Sequence, residues 1–274
     1  MTELCAIVLA AGEGTRLRPL TELRPKALCP VGNVALLDLA LARLAALGLT
    51  GADRVAVNAC HLAGQVVAHV GDRAHVTVEP GPKPLGTSGG VGNLRDWVAG
   101  RPVLLTNADA YLAGGDLTVL TRGWDGERVR ILGVPAPPGQ RPEFGGHVFA
   151  GYSLLPWRDV ARLEPRPAEI VRTVWRPAEA AGRLDVVEYG GRYVDTGTPR
   201  RYLDANLDAL HGAPVLVGSG ATVTGSARCA VIGDGARVYG RVRRAVVWPG
   251  GFVGADEQLV DAIRAGRELT VPAS

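Results

Sequence analysis

The sequence predicts an α/β fold in which helices flank a mixed, mostly parallel β-sheet, followed by a tail of short strands. Three observations predict it. Short apolar runs alternate with segments of helical periodicity in the first half. Glycine or polar residues follow several of these runs, as they do at the carboxyl ends of parallel strands. After Pro214 the pattern changes to short repeats, so we divide the chain into residues 1–212 and 213–274.

The first half provides the strands and helices of the expected sheet. A continuous apolar run, which is typical of a strand covered on both faces, predicts a strand over residues 5–10, and shorter runs predict strands over 54–58, 75–79 and 102–106. Leucines at helical spacing predict a helix over 36–47, which Gly48 ends, and a second helix is expected over 61–70.

The region 128–195 is richer in strand-forming residues and less regular, with a helix expected near residues 168–181. A further helix begins after Thr198, which is suited to cap it. Pro199 occupies its first position and Gly212 lies beyond its end.

The tail contains two clear repeats, over 215–223 and 231–238, with a period of about six residues. Such repeats form β-helix coils, in which each aliphatic residue is buried under the next coil. Residues 256–264 predict a terminal helix or a capping tail. We expect the tail to serve in packing or in a subunit contact that forms a homo-oligomer.

Composition excludes several classes of function. With 30 Lys and Arg against 27 Asp and Glu, a net charge of +3 makes no case for binding nucleic acid or an anionic membrane. The early apolar run is too short to cross a membrane, and no basic segment precedes it, so no secretory signal is expected. The four cysteines show no paired spacing, and a reduced cytoplasmic enzyme is the expectation.

A glycine turn directly follows the first predicted strand. Gly12 and Gly14 would let backbone N–H groups approach phosphate oxygens closely. Leu17 occupies the place of the third glycine of a dinucleotide-binding fingerprint, and no P-loop motif is present. Arg16 and Lys26 supply two cations near this loop, which suits a triphosphate; a plain turn with a surface arginine remains the alternative.

Four blocks in this order resemble the signature of the sugar-1-phosphate nucleotidylyltransferases, and most closely the bacterial mannose-1-phosphate guanylyltransferase-like proteins. They are residues 9–21 with Pro25-Lys26, then 84–90, 107–109 and 194–199, within a resemblance over about residues 4–211. The resemblance implies a Rossmann-like nucleotidyltransferase fold, with 1–212 as the catalytic domain and 213–274 as a short, left-handed β-helix-like tail.

The resemblance also implies roles for individual residues. Arg16 would bind the β- and γ-phosphates, and Lys26 the α-phosphate and the attacking sugar phosphate. Asp109 would act in catalysis and, with Asp195, would bind Mg²⁺. The sugar would lie at Ala150 and Gly151. The nucleotide would contact the two glycine-rich blocks, namely Leu9, Ala11, Gly12, Gly14, Thr15, Gly86, Thr87 and Gly90.

Plain alternatives remain open for three of these residues. Asp109 and Asp195 also fit turns, and Lys26 also fits an exposed position. The chain departs from the family where it has Asn-Ala-Asp in place of Asn-Gly-Asp. It also has no lysine beyond Lys83, so the lysine that clamps the sugar phosphate in many relatives is replaced by an arginine, such as Arg130 or Arg141, or is missing.

The implied activity is the Mg²⁺-dependent transfer of a nucleotidyl group from a nucleoside triphosphate to a sugar 1-phosphate, which releases pyrophosphate. GTP with mannose 1-phosphate is the first expectation, because the tail around Val246 to Gly250 resembles that of the guanylyltransferases. A uridylyltransferase acting on N-acetylmuramate 1-phosphate is one alternative. A non-catalytic nucleotide or sugar-phosphate sensor is another, and an acyltransferase run by the tail is disfavoured.

Overall fold

The computed structural model describes residues 3–273, and its main feature is a seven-stranded sheet. Across this sheet the strands are Leu184–Glu188, Val129–Pro135, His147–Leu155, Val103–Asn107, Cys5–Leu9, Val55–Ala59 and His75–Val78. His147–Leu155 is antiparallel to both of its neighbours, and the other neighbouring pairs are parallel. The predicted α/β class with a mixed, mostly parallel sheet is confirmed.

The strand Cys5–Leu9 lies inside the sheet because its apolar residues can be covered on both faces. Residues 5–8 are completely buried between two parallel neighbours. Leu9 is in register with Asn58 on one side and with Asn107 on the other. The polar strand ends that the sequence predicts therefore meet at one carboxyl edge, where open α/β sheets bind ligands.

The four helices predicted before the tail are present within a few residues of their expected bounds, whereas Leu20–Leu23, Gly86–Asn93, Arg95–Val98 and Trp157–Val160 were not predicted. Thr198 caps the last of them, since its side chain accepts a hydrogen bond from the Arg201 N–H. None of the helices within residues 3–273 combines the length and the apolar character needed to cross a bilayer. The helices are Leu20–Leu23, Leu36–Ala46, Ala63–Val70, Gly86–Asn93, Arg95–Val98, Trp157–Val160, the π-helical turn Val171–Trp175, Arg176–Ala180 and Pro199–Asp208.

The helix Gly86–Asn93 contains four glycines, which on their own disfavour a helix. Two of them are required by close packing. A Cβ on Gly89 would lie 2.3 Å from the carbonyl oxygen of Arg166, and one on Gly92 would lie 2.4 Å from that of Glu164. The glycines thus let the backbone of residues 164–168 lie directly against this helix.

The chain divides into two compact units. The first contains Pro25–Ala27 and Leu37–Tyr193 together with the residues up to Glu13. The second contains Gly14–Arg24, Leu28–Leu36 and the residues from Val194 onward. Two short stretches of the N-terminal region therefore belong to the same unit as the tail. The domain division at residue 212 stays a prediction.

The tail is a β-helix-like stack of coils, as predicted. One sheet contains the parallel strands Val215–Val217, Ser226–Ile232, Arg241–Val247 and Gln258–Ala265, closed by the antiparallel strand Leu269–Pro272. A second contains Thr222–Val223, Arg237–Val238 and Phe252–Val253. Apolar side chains such as Ile232, Val247 and Leu259 form the core between them.

Equivalent residues of successive coils lie 15 and then 17 positions apart, as in Ser219 with Asp234 and Arg244 with Asp261, so each coil contains two to three of the six-residue units. One expectation about the tail is wrong. Residues 256–264 form no terminal helix, because Gln258–Ala265 is a strand paired with Arg241–Val247.

Candidate active site

The turn after the first strand is connected to the neighbouring strands by its backbone. The Ala10 N–H donates to Asn58 Oδ1 at 2.7 Å, and the Ala108 N–H donates to the Leu9 carbonyl at 3.0 Å. Ala11 is buried, whereas Gly12 is exposed and has open space where a Cβ would lie. The turn therefore presents backbone that a phosphate group can approach.

Asn58 belongs to a buried polar pair with Glu79, which is only 3% exposed. Asn58 Nδ2 donates to Glu79 Oε1 at 2.6 Å, and the Leu85 N–H donates to Oε2 at 2.7 Å. Burial raises the pKa of the Glu79 carboxyl, and the two hydrogen bonds oppose that rise. The pair thereby connects the turn at Ala10 to Leu85, which lies directly before the helix Gly86–Asn93.

Position 90 requires a glycine, because Asn58 and Glu79 occupy the space that a side chain would need. A Cβ on Gly90 would lie 2.5 Å from Asn58 Nδ2 and 2.9 Å from Glu79 Oε1. Gly86 has a φ of 72°, and a Cβ there would lie 2.6 Å from the Ala168 carbonyl oxygen. The two glycines predicted to shape the nucleotide pocket therefore permit close packing beneath it.

Thr87, which lies between these glycines, joins the helix to residues 169–170. Its hydroxyl donates to Glu169 Oε2 at 2.8 Å and accepts from the Ile170 N–H at 2.7 Å. These groups border a cavity of about 150 Å³ at the carboxyl edge of the sheet. The cavity is lined by Leu9, Thr87, Leu105, Asn107, Phe149, Glu169, Ile170, Val171 and Trp175.

Lys26 is buried against Asp109. Its Nζ donates a short hydrogen bond to Asp109 Oδ2, and its side chain is 10% exposed, against 33% for the aspartate. Asp109 follows the strand that ends at Asn107. The exposed alternative for Lys26 is therefore wrong, and the carboxylate at the end of this strand faces a fixed ammonium.

Arg16 and Asp195 form the corresponding pair of the second unit. Gly14, with a φ of 61°, begins the turn in which Thr15 and Arg16 lie. Arg16 Nη2 lies 3.5 Å from Asp195 Oδ2, and Arg201 Nη1 lies 3.4 Å from the same oxygen. Gly197 lies directly beside this guanidinium, since a Cβ there would be 2.6 Å from Arg16 Nη2.

Ala150 and Gly151 are buried in the strand His147–Leu155. Gly151 has a φ of 83°, and a Cβ there would lie 2.4 Å from that of Ala110. Their predicted contact with the sugar stays a prediction, whereas the neighbouring Phe149 lines the cavity.

The two arginines considered as replacements for the family's lysine differ. The Arg130 side chain is 12% exposed, and its Nη1 donates to the carbonyls of Leu120 and Arg122 at 3.2 and 2.8 Å. Arg141 is exposed between the strands Val129–Pro135 and His147–Leu155, with no side-chain partner among residues 3–273. Of these two arginines, Arg141 is the one whose guanidinium is available to an anion.

No group of three or more His, Cys, Asp or Glu within residues 3–273 could hold a metal ion by itself. Proteins usually bind Mg²⁺ through one or two carboxylates together with the phosphates of a substrate. Asp109 and Asp195 provide oxygen ligands of the right kind. Their convergence on one ion stays a prediction.

Sequence reasoning missed Glu79, Glu169, Phe149 and Trp175. Glu79 could have been suspected, because it ends a predicted strand at the edge where Asn58 also lies. The other three have no distinguishing motif, and only the folding of residues 149–175 over the glycine-rich helix places them at the cavity.

Comparisons with known proteins agree on one family. The MobA-like NTP transferase domain matches residues 6–191, which is more than half of the chain. An N-acetylmuramate alpha-1-phosphate uridylyltransferase from Caulobacter vibrioides is 30% identical, with 73% of this chain and 94% of that protein covered. A mannose-1-phosphate guanylyltransferase from Mycobacterium tuberculosis is 26% identical, with 78% and 67% covered.

The fold is also that of a solved structure. A protein from Bacillus anthracis, assigned as a glucose-1-phosphate thymidylyltransferase and crystallised with a sucrose, superimposes with a TM-score of 0.65 at 20% identity. The match covers 76% of this chain and 95% of that one. Together with the family match, these similarities place the chain in the MobA-like NTP transferase family, as a sugar-1-phosphate nucleotidylyltransferase.

Proposed function

We propose that this enzyme transfers the guanylyl group of GTP to mannose 1-phosphate, with Lys26 and Asp109 at the reacting phosphates. The placement of the reaction is supported by the buried pair of these two residues. It lies at the end of the strand Val103–Asn107, at the edge where α/β sheets bind ligands. A lysine kept in the interior beside a carboxylate fits a site that must neutralise a polyanion.

The reaction requires the protein to position the two substrates and to neutralise their charge. An oxygen of the sugar phosphate forms a bond to the α-phosphorus, and the bond from that phosphorus to the β-phosphate bridging oxygen breaks. Pyrophosphate leaves with the electron pair, and no proton needs to be removed from the nucleophile, because it is already an anion at neutral pH. Cations near the α-phosphate therefore supply the main stabilisation of the transition state.

The two cations divide this task in the proposal. Lys26, a compact ammonium fixed by Asp109, would neutralise the α-phosphate and the incoming sugar phosphate. Arg16, whose side chain is 65% exposed, would bind the β- and γ-phosphates that leave. An exposed guanidinium can rearrange to form two parallel hydrogen bonds to phosphate oxygens.

Asp109 and Asp195 would hold Mg²⁺ together with the phosphates. Carboxylate oxygens are the ligands that this hard cation prefers. When bound, the ion would offset the charge of the triphosphate. Both carboxylates are partly exposed, at 33% and 25%, as a site shared with an incoming substrate requires.

The turn at Ala11, Gly12, Gly14 and Thr15 would contact the phosphates through its backbone, because Gly12 leaves that approach open. Leu9 and Thr87 at the cavity, with Gly86 and Gly90 packed behind, would shape the pocket for the nucleoside.

The acceptor sugar would lie near Ala150 and Gly151, beside Phe149 and Glu169 at the cavity. The Glu169 carboxylate is exposed, and it can accept hydrogen bonds from sugar hydroxyls. We assign the clamp on the sugar phosphate to Arg141, because the Arg130 guanidinium is occupied by backbone carbonyls.

The choice of GTP and mannose 1-phosphate rests on the tail. The uridylyltransferase relative is covered over 94% of its length by 73% of this chain, which leaves it little room for a comparable tail. About a third of the guanylyltransferase from Mycobacterium tuberculosis lies outside the match, which leaves that relative room for a tail. UTP with N-acetylmuramate 1-phosphate is the second candidate, since that relative has the higher identity, 30% against 26%.

Two further proposals concern the setting of the enzyme. All four cysteines are free, which fits the reducing cytoplasm that also supplies nucleoside triphosphates. We also propose that the β-helix-like tail contributes to a homo-oligomer. A non-catalytic sensor is disfavoured, because binding alone would not require Arg16, Lys26, Asp109 and Asp195 together.

A panel of four nucleoside triphosphates against several sugar 1-phosphates, with Mg²⁺ and a pyrophosphate readout, tests the proposal. The expected result is the highest kcat/KM for GTP with mannose 1-phosphate. A preference for UTP with N-acetylmuramate 1-phosphate would transfer the assignment to the second candidate. Nucleotide binding in a thermal-shift assay with no pyrophosphate for any pair would favour the sensor.

A further inference from the structure

An aromatic residue of the tail, Trp248, contacts the segment Gly14–Arg24, which carries Arg16. Trp248 is 4% exposed, and Cζ of Arg24 lies 5.2 Å from the centre of its ring. A guanidinium within about 6 Å of an indole face is attracted by the ring electrons. The coils of the tail are thereby joined to a segment far away in sequence.

Trp248 is fixed on its other side by a chain of hydrogen bonds. Its Nε1 donates to Tyr202 Oη at 3.0 Å, and the Tyr202 hydroxyl donates to the carbonyl of Pro30. Tyr202 is completely buried, and Asn206 Nδ2 donates to its carbonyl at 3.0 Å. Burial and this hydrogen bond hold the indole ring in the position in which it faces Arg24.

The backbone of the segment Gly14–Arg24 is held together by a hydrogen bond and by buried side chains. Thr21, which is fully buried, donates from Oγ1 to the Gly14 carbonyl at 3.0 Å, and Leu17 and Leu20 are also fully buried. Arg16 lies inside this folded segment, but its own side chain is 65% exposed and its ion pair with Asp195 is long, at 3.5 Å. The location of its guanidinium therefore depends on the backbone that carries it.

We propose that Trp248 is a positioning residue for the triphosphate. It holds Arg24, and through the segment Gly14–Arg24 it sets the place from which Arg16 reaches the β- and γ-phosphates. The role of Arg16 rests on the proposed function, whereas the connection from Trp248 to the segment is testable without turnover. The tail would then act in substrate binding as well as in packing.

Four variants test the connection. Trp248→Leu and Arg24→Met remove the contact, while Trp248→Phe keeps an aromatic face and Arg24→Lys keeps a cation. Phe252→Leu and Arg267→Met are matched controls, because they break an Arg–aromatic contact of 4.4 Å in the same tail that does not involve the segment. We expect the loss of this contact to lower the stability of the tail without changing trypsin cleavage at Arg16 or the KM for GTP.

The first readout is trypsin cleavage at Arg16, followed by mass spectrometry. Trypsin cuts after arginine unless proline follows, so the bonds after Arg18 and Arg24 resist it and only the Arg16–Leu17 bond of the segment can be cut. We expect Trp248→Leu and Arg24→Met to speed this cleavage by about threefold to tenfold. The two conservative variants and the two controls should cleave at nearly the wild-type rate.

The second readout is steady-state kinetics with GTP and mannose 1-phosphate. We expect the same two variants to raise the KM for GTP by about threefold to tenfold, with little change in the KM for mannose 1-phosphate, and the double variant to be no worse than either alone.

The proposal would be overturned if Phe252→Leu and Arg267→Met changed the cleavage rate and the KM for GTP as much as Trp248→Leu and Arg24→Met do. It would also be overturned if Trp248→Leu changed neither quantity. Selective cleavage in a protein that turns over neither GTP nor UTP would support the connection and contradict the proposed function instead.

Discussion

Lys26 donates a hydrogen bond to Asp109 inside the first unit, and only 10% of the Lys26 side chain is exposed. Burying an ammonium is costly unless a carboxylate accepts from it. Lys26 and Lys83 are the only lysines of the chain, and Lys26 is the one that is buried in this way. The pairing fixes an ammonium beside the end of a central strand, where a phosphate would need it.

Replacement of Lys26 should therefore reduce turnover. We expect Lys26→Ala to lower kcat at least about tenfold, because the α-phosphate loses its fixed cation, and Lys26→Arg to restore it only in part, because a planar fork replaces a point charge. Lys83→Ala, which removes the other, exposed lysine, is the control. A kcat near that of the wild type in Lys26→Ala would refute the assignment, provided that circular dichroism shows an intact fold.

The two aspartates should act on the same metal ion. We expect Asp109→Asn and Asp195→Asn each to raise the Mg²⁺ concentration for half-maximal activity at least about tenfold, since each removes a charged ligand. Asp72→Asn changes an exposed carboxylate elsewhere and should leave the Mg²⁺ titration as it is. A shift in only one of the two variants would show that Asp109 and Asp195 do not share an ion.

Two helical glycines should respond in opposite ways to alanine. Gly89→Ala places a Cβ 2.3 Å from the Arg166 carbonyl oxygen, so we expect a loss of about 1–3 kcal/mol in the free energy of unfolding. Gly64, in the helix Ala63–Val70, has open space around it, and Gly64→Ala should gain about 0.5–1 kcal/mol. Urea unfolding measures both, and an unaffected Gly89→Ala would contradict the described packing.

Glu79 should make stability depend on pH. Because burial raises its pKa in the folded state, the folded protein binds this proton more tightly than the unfolded chain, and its contribution to stability falls as pH rises through the raised pKa. The unfolding free energy of the wild type minus that of Glu79→Gln should therefore decrease as the pH rises above about 4, the ordinary pKa of a glutamate.

Glu257 provides the opposite sign in the same experiment. Its hydrogen bond from Arg264 lowers its pKa, so its contribution is present at neutral pH and is lost as pH falls. The difference between wild type and Glu257→Gln should thus increase with pH. A flat or rising difference for Glu79→Gln would show that its carboxyl is not destabilised by burial.

The local patterns of the chain predicted four strands of the seven-stranded sheet and the residues at its carboxyl edge. Continuous apolar runs and glycine stops indicate strands and turns without tertiary information, and Leu9, Asn58 and Asn107 meet because parallel strands end together. The pairing of Glu79 with Asn58 and of Thr87 with Glu169 was not predictable in the same way. Those contacts depend on how separate loops pack, which no spacing in the sequence encodes.

The wrong helix in the tail has a local cause. Leu259, Val260, Ala262 and Ile263 have helical spacing, yet they belong to a strand. Asp261 adopts a φ of 45°, which shifts the alternation of side chains by one residue, so that both Leu259 and Ala262 reach the core. Cys229 and Arg244 have the same conformation at the equivalent points of earlier coils. A strand with such a bend imitates the apolar spacing of a helix.

The most direct test of the account follows phosphorus by nuclear magnetic resonance in a mixture of enzyme, Mg²⁺, GTP and mannose 1-phosphate. The β- and γ-phosphorus signals of GTP should convert to one pyrophosphate for each nucleoside diphosphate sugar formed, and only when the sugar phosphate is present. Release of orthophosphate, or of pyrophosphate without the sugar phosphate, would instead show hydrolysis and contradict nucleotidylyl transfer at this site.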